Sequence, residues 1–426
     1  MDRRPQSGRA QALFLMLAAA VCGVGLAFAS GALDGVIATL RARFTAEVPP
    51  IAVEEPQVVQ AREPSLLEDT ASAPTSAALG LGASLGQELS AFDRNEQAVV
   101  AINEGRFDEA VELLTKVVEE DEAGFAYRQN LATALSRRAQ ARGVDEFELA
   151  RPDFEAAIFY APDEQRSDRI RARMDRAETI AREEAEFTLE ETLHFTFKFD
   201  ASRTELREGV DRLQVLLEET YQEYGELFSR RPVEAGEKKI AVVLYGAEGF
   251  NNVTGLGDWA GGAFDGTIRV PAEDLRDPRR VARLRDVLRH EVAHAFCQSI
   301  GGKTVPSWLN EGIAQWLENP SSRLSGLHVA RARLVNARDN GGKELFLLAE
   351  IQGSLVSWSD TAEITRAYDQ ALAFVDYLAE QYGARLLFDL VAECKAEGFR
   401  GAEIAFERRL LVDLNVVLQD FNAALR

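Results

Sequence analysis

The sequence predicts an α+β protein, with a small, mostly antiparallel sheet followed by a helical block and preceded by an all-α module. Three observations carry this. Residues 91–186 show helical periodicity, residues 191–270 alternate strand patterns with one long amphipathic helix, and beyond about Asp277 apolar residues recur almost entirely at helical spacing.

At the N-terminus, Arg3, Arg4 and Arg9 precede an apolar run from Ala12 to Ala29 that closes on Ala27-Phe28-Ala29. A basic start, an apolar stretch and a small-x-small end describe a secretory signal. The run is also close to the shortest membrane span, so residues 1–30 read as a cleaved signal or an uncleaved anchor. In either case residues 31–426 are expected outside the cytoplasm, secreted or periplasmic, with residues 12–29 as the inner-membrane tether if the signal is retained. Val21 precedes Cys22 where a lipoprotein signal needs a small residue. Residues 31–90 are acidic, rich in Pro and Ala and without periodicity, and read as a disordered linker.

The expected module at 91–186 contains two similar stretches. Ala110, Leu114 and Glu122 in the first correspond, at offsets of four and twelve, to Ala150, Phe154 and Pro162 in the second. These resemble the small, large and helix-ending positions of tetratricopeptide helix pairs. The copies lie 40 residues apart, longer than that repeat's usual period, so extra residues are expected near Arg142-Gly143-Val144. The resemblance implies two helical units and a capping helix near 164–186, a surface suited to a protein partner.

The sheet elements follow. His194-Phe195-Thr196-Phe197-Lys198-Phe199 alternates as a strand does, and Ser202–Phe228 places Leu213, Leu216, Leu217, Tyr221 and Tyr224 at helical spacings. Ile240–Tyr245 is a continuous apolar run, expected as a buried strand, and Gly262–Val270 reads as a hairpin or edge strand closed by Pro271. Gly255–Ala260 fits a loose dinucleotide fingerprint but is followed by a strand pattern rather than a helix, which removes the phosphate-binding geometry.

Composition excludes several functions. A net charge of −21 argues against binding nucleic acid or an anionic membrane surface, since both need a basic face. Outside the apolar N-terminal segment only Cys297 and Cys394 remain, too few for a disulfide framework or a multi-thiolate metal site. No nucleophile elbow or phosphate loop is present.

The chemistry concentrates in His290-Glu291-Val292-Ala293-His294. On a helix two residues four apart share a face, so both imidazoles can reach one zinc ion while Glu291 stands beside them as general base. The apolar stripe Val281, Leu284, Leu288, Val292 and Phe296 supports the helix. Zinc needs a third protein ligand and an open position. Glu311, seventeen residues after His294 and past the Gly301-Gly302 turn, is the candidate, with His328 the rival. Cys297 shares the histidine face and reads as a buried small side chain more readily than as a ligand.

Trp308-Leu309-Asn310-Glu311-Gly312 resembles the third-ligand motif of the gluzincin metallopeptidases, in particular their aminopeptidase-like branch. The resemblance implies a zincin-type domain over 191–426, with His290, His294 and Glu311 holding Zn2+ and Glu291 as base. In similar gluzincins a tyrosine on a later helix steadies the oxyanion, which points to Tyr368. The spacing from His294 to Glu311 is shorter than that branch's usual one. Its Gly-x-Met-Glu-Asn edge strand, whose Glu holds a substrate amine, is replaced here by Gly261–Gly266, leaving Asp265 as the nearest substitute. The expected activity is zinc-dependent hydrolysis of a peptide or protein substrate; the alternative is a non-catalytic scaffold with a structural or vestigial zinc site.

Overall fold

The first helix begins where Ser90 can satisfy its free N–H groups. Ser90 Oγ accepts from Asp93 N at 3.1 Å, and the Asp93 carboxylate accepts in return from Ser90 N at 3.3 Å. The structure is a computed structural model and describes residues 89–121, 124–232, 238–255, 261–355 and 358–425. The signal-or-anchor segment 12–29, the linker as far as residue 88, Glu122 and residues 256–260 of the glycine-rich stretch lie outside the described residues. No helix among the described residues is long and apolar enough to cross a membrane. Within them the chain divides into two compact units between Ala185 and Glu186.

The first unit is built of helices: α1 (Ala91–Asn103), α2 (Phe107–Glu120), α3 (Phe125–Arg142), α4 (Phe147–Tyr160) and α5 (Glu164–Glu184). Each packs on the next, and a buried hydrogen bond from Asn130 Nδ2 to Asn95 Oδ1 at 2.9 Å joins α1 to α3. The repeated positions lie in one core. Ala110, Leu114, Ala150 and Phe154 are all buried, the alanines admitting close helix approach and the larger partners filling the space beside it. The extra length between the copies resides in α3, which has 18 residues against 14 in α2, and in a short 3-10 turn after Gly143. Helix α4 stops at Tyr160, two residues before Pro162, which could not continue it.

The second unit opens with strands β1 (Thr188–Glu191) and β2 (Phe195–Phe199), helix α6 (Thr204–Phe228) and strand β3 (Ile240–Tyr245). Helix α7 (Ala247–Thr254), strand β4 (Ala263–Phe264) and strand β5 (Ile268–Pro271) follow. The sheet order is β1-β2-β3-β5-β4. The α+β plan holds, but the sheet is mixed rather than mostly antiparallel. Strands β2 with β3 and β3 with β5 run parallel; only the outer pairs, β1 with β2 and β4 with β5, are antiparallel. The reason is the long helix between β2 and β3. A crossover of that length returns the chain to the same end of the sheet, so the next strand pairs in parallel. Phe195, Phe197 and Phe199 face α6, which buries Leu206, Val210, Leu213, Leu217, Tyr221, Tyr224 and Phe228 against them.

The helical block comprises α8 (Pro278–Gly301), α9 (Ser307–Glu318), α10 (Arg323–Gly341), α11 (Thr361–Tyr382), α12 (Arg385–Glu397), α13 (Gly401–Leu410) and α14 (Leu414–Ala424). Helix α8 starts on an Asp277 cap with Pro278 at its first position, where a missing N–H costs nothing. Its stripe of Leu284, Leu288, Val292 and Phe296 is buried, and Gly301 and Gly302 end it. Helix α9 has no side-chain cap. Its first N–H groups, from Ser307 and Trp308, donate instead to Gln352 O at 2.9 Å and Ile351 O at 3.0 Å. A loop carbonyl pair therefore fixes where α9 begins, four residues before Glu311.

Candidate metal centre

Helical spacing puts His290 and His294 one turn apart on α8, with ring centroids 4.7 Å apart. Glu311, in the first turns of α9, reaches both: its Oε2 lies 3.6 Å from His290 Nε2 and 3.5 Å from His294 Nε2. These separations are long for hydrogen bonds. They match the edges of a coordination tetrahedron, because two ligands each about 2.0–2.1 Å from an ion of zinc's size stand about 3.3–3.4 Å apart. Two imidazole nitrogens and one carboxylate oxygen, all within 4.8 Å of one another, form a group that could hold a metal ion. His290 and Glu311 keep 19% and 16% of their side-chain surface exposed, so the group is not wholly sealed from solvent.

Glu291 is buried between the two histidines in the chain and faces the sheet edge. A Cβ on Gly262 would come within 2.8 Å of Glu291 Oε1 and of Val287 Cγ1, so a larger residue there would have to displace one of those side chains. Burial raises the Glu291 carboxyl above its ordinary range, against the pull of His290 and His294. Burial works against protonation of the two histidines, but Glu311 and Glu318 raise His290 well above its ordinary value, and Glu311 raises His294. The same imidazoles hold Glu311 well below the carboxylate range despite its burial. Each group is thus stabilised by opposite charge at the position a cation would share.

Tyr368 comes from α11, which packs along α9. The approach depends on Gly312: a Cβ there would meet Ala371 O at 2.5 Å and Val375 Cγ2 at 2.4 Å. Gln315 Nε2 donates to Tyr368 O at 3.1 Å, pinning that turn of α11 to the ligand helix. Burial and then the charges of Glu311 and Glu291 push the Tyr368 phenol well above its ordinary value, so it lies within electrostatic reach of both carboxylates.

Two residues of the site escaped the sequence reading. Glu318 lies seven residues beyond Glu311, on the same face of α9 two turns on, and its Oε2 lies 3.2 Å from His290 Nδ1. A carboxylate accepts, so Nδ1 carries a proton toward Glu318, which leaves Nε2 as the nitrogen that faces Glu311 and would be free to bind a metal ion. The seven-residue spacing was the available signal. Arg289 is the other. Its guanidinium donates to Leu317 O at 3.1 Å and Glu318 O at 3.1 Å, satisfying the last carbonyls of α9, and holds Glu223 of α6 through contacts of 2.7 and 2.8 Å. Tyr224 OH adds bonds to Arg289 O and Leu317 O, both 3.2 Å. The α9 end carrying Glu318 is thereby locked to α8 at the residue before His290.

The remaining candidates stand elsewhere. His328 is exposed on α10 and outside the group of His290, His294 and Glu311. Cys297 is buried on α8, also outside the group, its thiol pushed up by burial; it and Cys394 are free thiols. Asp265 sits in the exposed β4–β5 turn, accepts from Thr267 N at 3.2 Å and faces Arg269 at 3.4 Å. No family model, no curated protein and no solved structure matches the chain.

Proposed function

We propose that this chain is a zinc-dependent peptidase of gluzincin type, exported from the cytoplasm, with a tetratricopeptide-like helical unit for a protein partner. The observation that carries the reading is the donor set. His290, His294 and Glu311 supply three protein ligands, the number that catalytic zinc centres use, where structural ones use four. When bound, zinc lowers the pKa of water and polarises a carbonyl.

The chain's own residues do the rest. Glu291 takes the proton of the attacking water and passes it to the leaving amine, a role suited to a buried carboxylate with a raised proton affinity. Tyr368 donates its hydroxyl proton in a hydrogen bond to the developing oxyanion. Glu318 keeps His290 in the tautomer that offers Nε2. Strand β4 is an edge of the sheet and adjoins Glu291 through Gly262, which supports an extended polypeptide, pairing along that edge, as substrate.

The test is zinc content paired with hydrolysis of casein or a peptide library by the purified chain. Bound zinc, cleavage lost on chelation and cleavage restored by zinc are expected. Absence of zinc together with indifference to chelators would favour the non-catalytic scaffold.

A further inference from the structure

Arg269 is a buried charge that the metal centre does not use. It lies in β5 between Ile268 and Val270, which both enter the core, so strand alternation turns it to the opposite face of the sheet. Tyr245 of β3 faces the same way, since Val242 and Leu244 enter the core. On that face Arg269 Nη1 donates to Tyr245 OH, and Arg269 Nε stands 3.4 Å from Asp265 Oδ2 in the β4–β5 turn. The Tyr245 ring packs in turn on Phe187, with centroids 5.7 Å apart. Asp265 also closes the turn locally, accepting from Thr267 N at 3.2 Å and donating its own N–H to Thr267 O at 3.3 Å. A guanidinium out of water is costly unless it is paired, and the pairing here ties the last strand of the sheet to its middle. The tie matters because β4 is short. At the opposite edge β1 pairs with β2 through four residues, whereas β4 pairs with β5 through two. Strands usually run about 3–10 residues, so β4 has a weak ladder of its own. Just before it, Gly262 approaches Val287 and Glu291 of α8. The place of β4 therefore sets how a strand added to its edge lies against Glu291.

We propose that Arg269 is a positioning residue of this site: gripping Asp265 and Tyr245, it holds β4 where its edge receives an extended substrate in register with the centre. This role rests on the peptidase reading and deepens it, since the substrate class becomes a peptide bound as an added strand through main-chain hydrogen bonds. Arg269 acts through β4 and not on the reacting atoms. A loosened β4 weakens ground state and transition state alike, so KM rises while kcat holds.

The experiment is steady-state hydrolysis of labelled casein by the full chain, with bound zinc and amide hydrogen exchange measured on the same preparations. In Arg269→Gln, KM should rise about tenfold, the loss of a hydrogen bond to a charged group, with kcat within about twofold and zinc content unchanged. Asp265→Asn, at a side chain one-third exposed, should raise KM about threefold and keeps the test decisive if Arg269→Gln fails to fold. The double variant should raise KM no further than Arg269→Gln alone, because the two changes remove a shared contact. Exchange at the amides of the β4–β5 hairpin should quicken in each variant. An active wild type with KM unchanged in both variants, a loss confined to kcat, additive effects in the double variant, or unchanged hairpin exchange overturns the positioning role and leaves the peptidase reading standing. A zinc-bound wild type that hydrolyses no peptide overturns that reading, and the positioning role with it.

Discussion

The two units bury polar groups in opposite ways. In the helical unit most buried polar side chains are neutral, namely Asn95, Gln129, Asn130, Thr133 and Ser136, and the core is rich in alanine. In the second unit most are ionisable: His194, Arg269, Arg289, Glu291, His294, Asp369 and Asp376. Desolvating a charge costs several kcal/mol unless it is paired. The second unit accepts that cost mainly along α8, at and beside the two histidines, and along α11, where Asp369 pairs with Arg333 and Asp376 accepts from Trp316. The contrast teaches that the helical unit is organised for packing, and the second unit around buried charge.

Three substitutions probe that contrast. Phe154→Ala should destabilise the helical unit by about 3–5 kcal/mol, the cost of emptying a buried aromatic site, and leave metal affinity untouched. Denaturant unfolding with a metal titration checks both halves; a loss of metal affinity would break the division between the units. Arg289→Met should cost about 2–3 kcal/mol of stability, below the 3–5 of a fully buried pair because Glu223 is nearly half exposed. It also leaves the Leu317 and Glu318 carbonyls unsatisfied. Adding Glu223→Gln should recover part of the loss, as a double-mutant cycle would read. Glu318→Gln is expected to act least on stability, yet to weaken metal binding by about 10–100-fold through the freed His290 ring. Competition with a chelating indicator measures it.

The parts of this organisation that depend on local spacing were legible in the sequence. His290 and His294 share a face because residues four apart on a helix must, and the apolar stripe from Leu284 to Phe296 announced that helix. The alternation of Phe195, Phe197 and Phe199 marked a strand, and the long helical pattern before Ile240 marked α6. That same helix already contained the reason for parallel pairing, since it separates two strands by a full crossover; the antiparallel expectation overlooked it. Glu318, Arg289 and Gly312 act through where α9 crosses α8 and α11. Such crossings are set by side chains far apart in the chain, so no short window reveals them. Glu311 was visible as a carboxylate seventeen residues after His294, past the Gly301-Gly302 turn, and more specifically within Trp308–Gly312; Tyr368 was visible only through the resemblance that stretch carries. Asp265 turned out to be held within its own hairpin.

The central claim is that Glu291 moves the proton at a centre held by His290, His294 and Glu311. The most direct test is Glu291→Gln, with bound zinc and peptide hydrolysis measured on the same preparation. The substitution keeps the size of the side chain and removes the base. Zinc retained at the wild-type ratio with hydrolysis reduced by at least about 100-fold is the predicted result. Undiminished hydrolysis in the zinc-loaded variant would contradict the account.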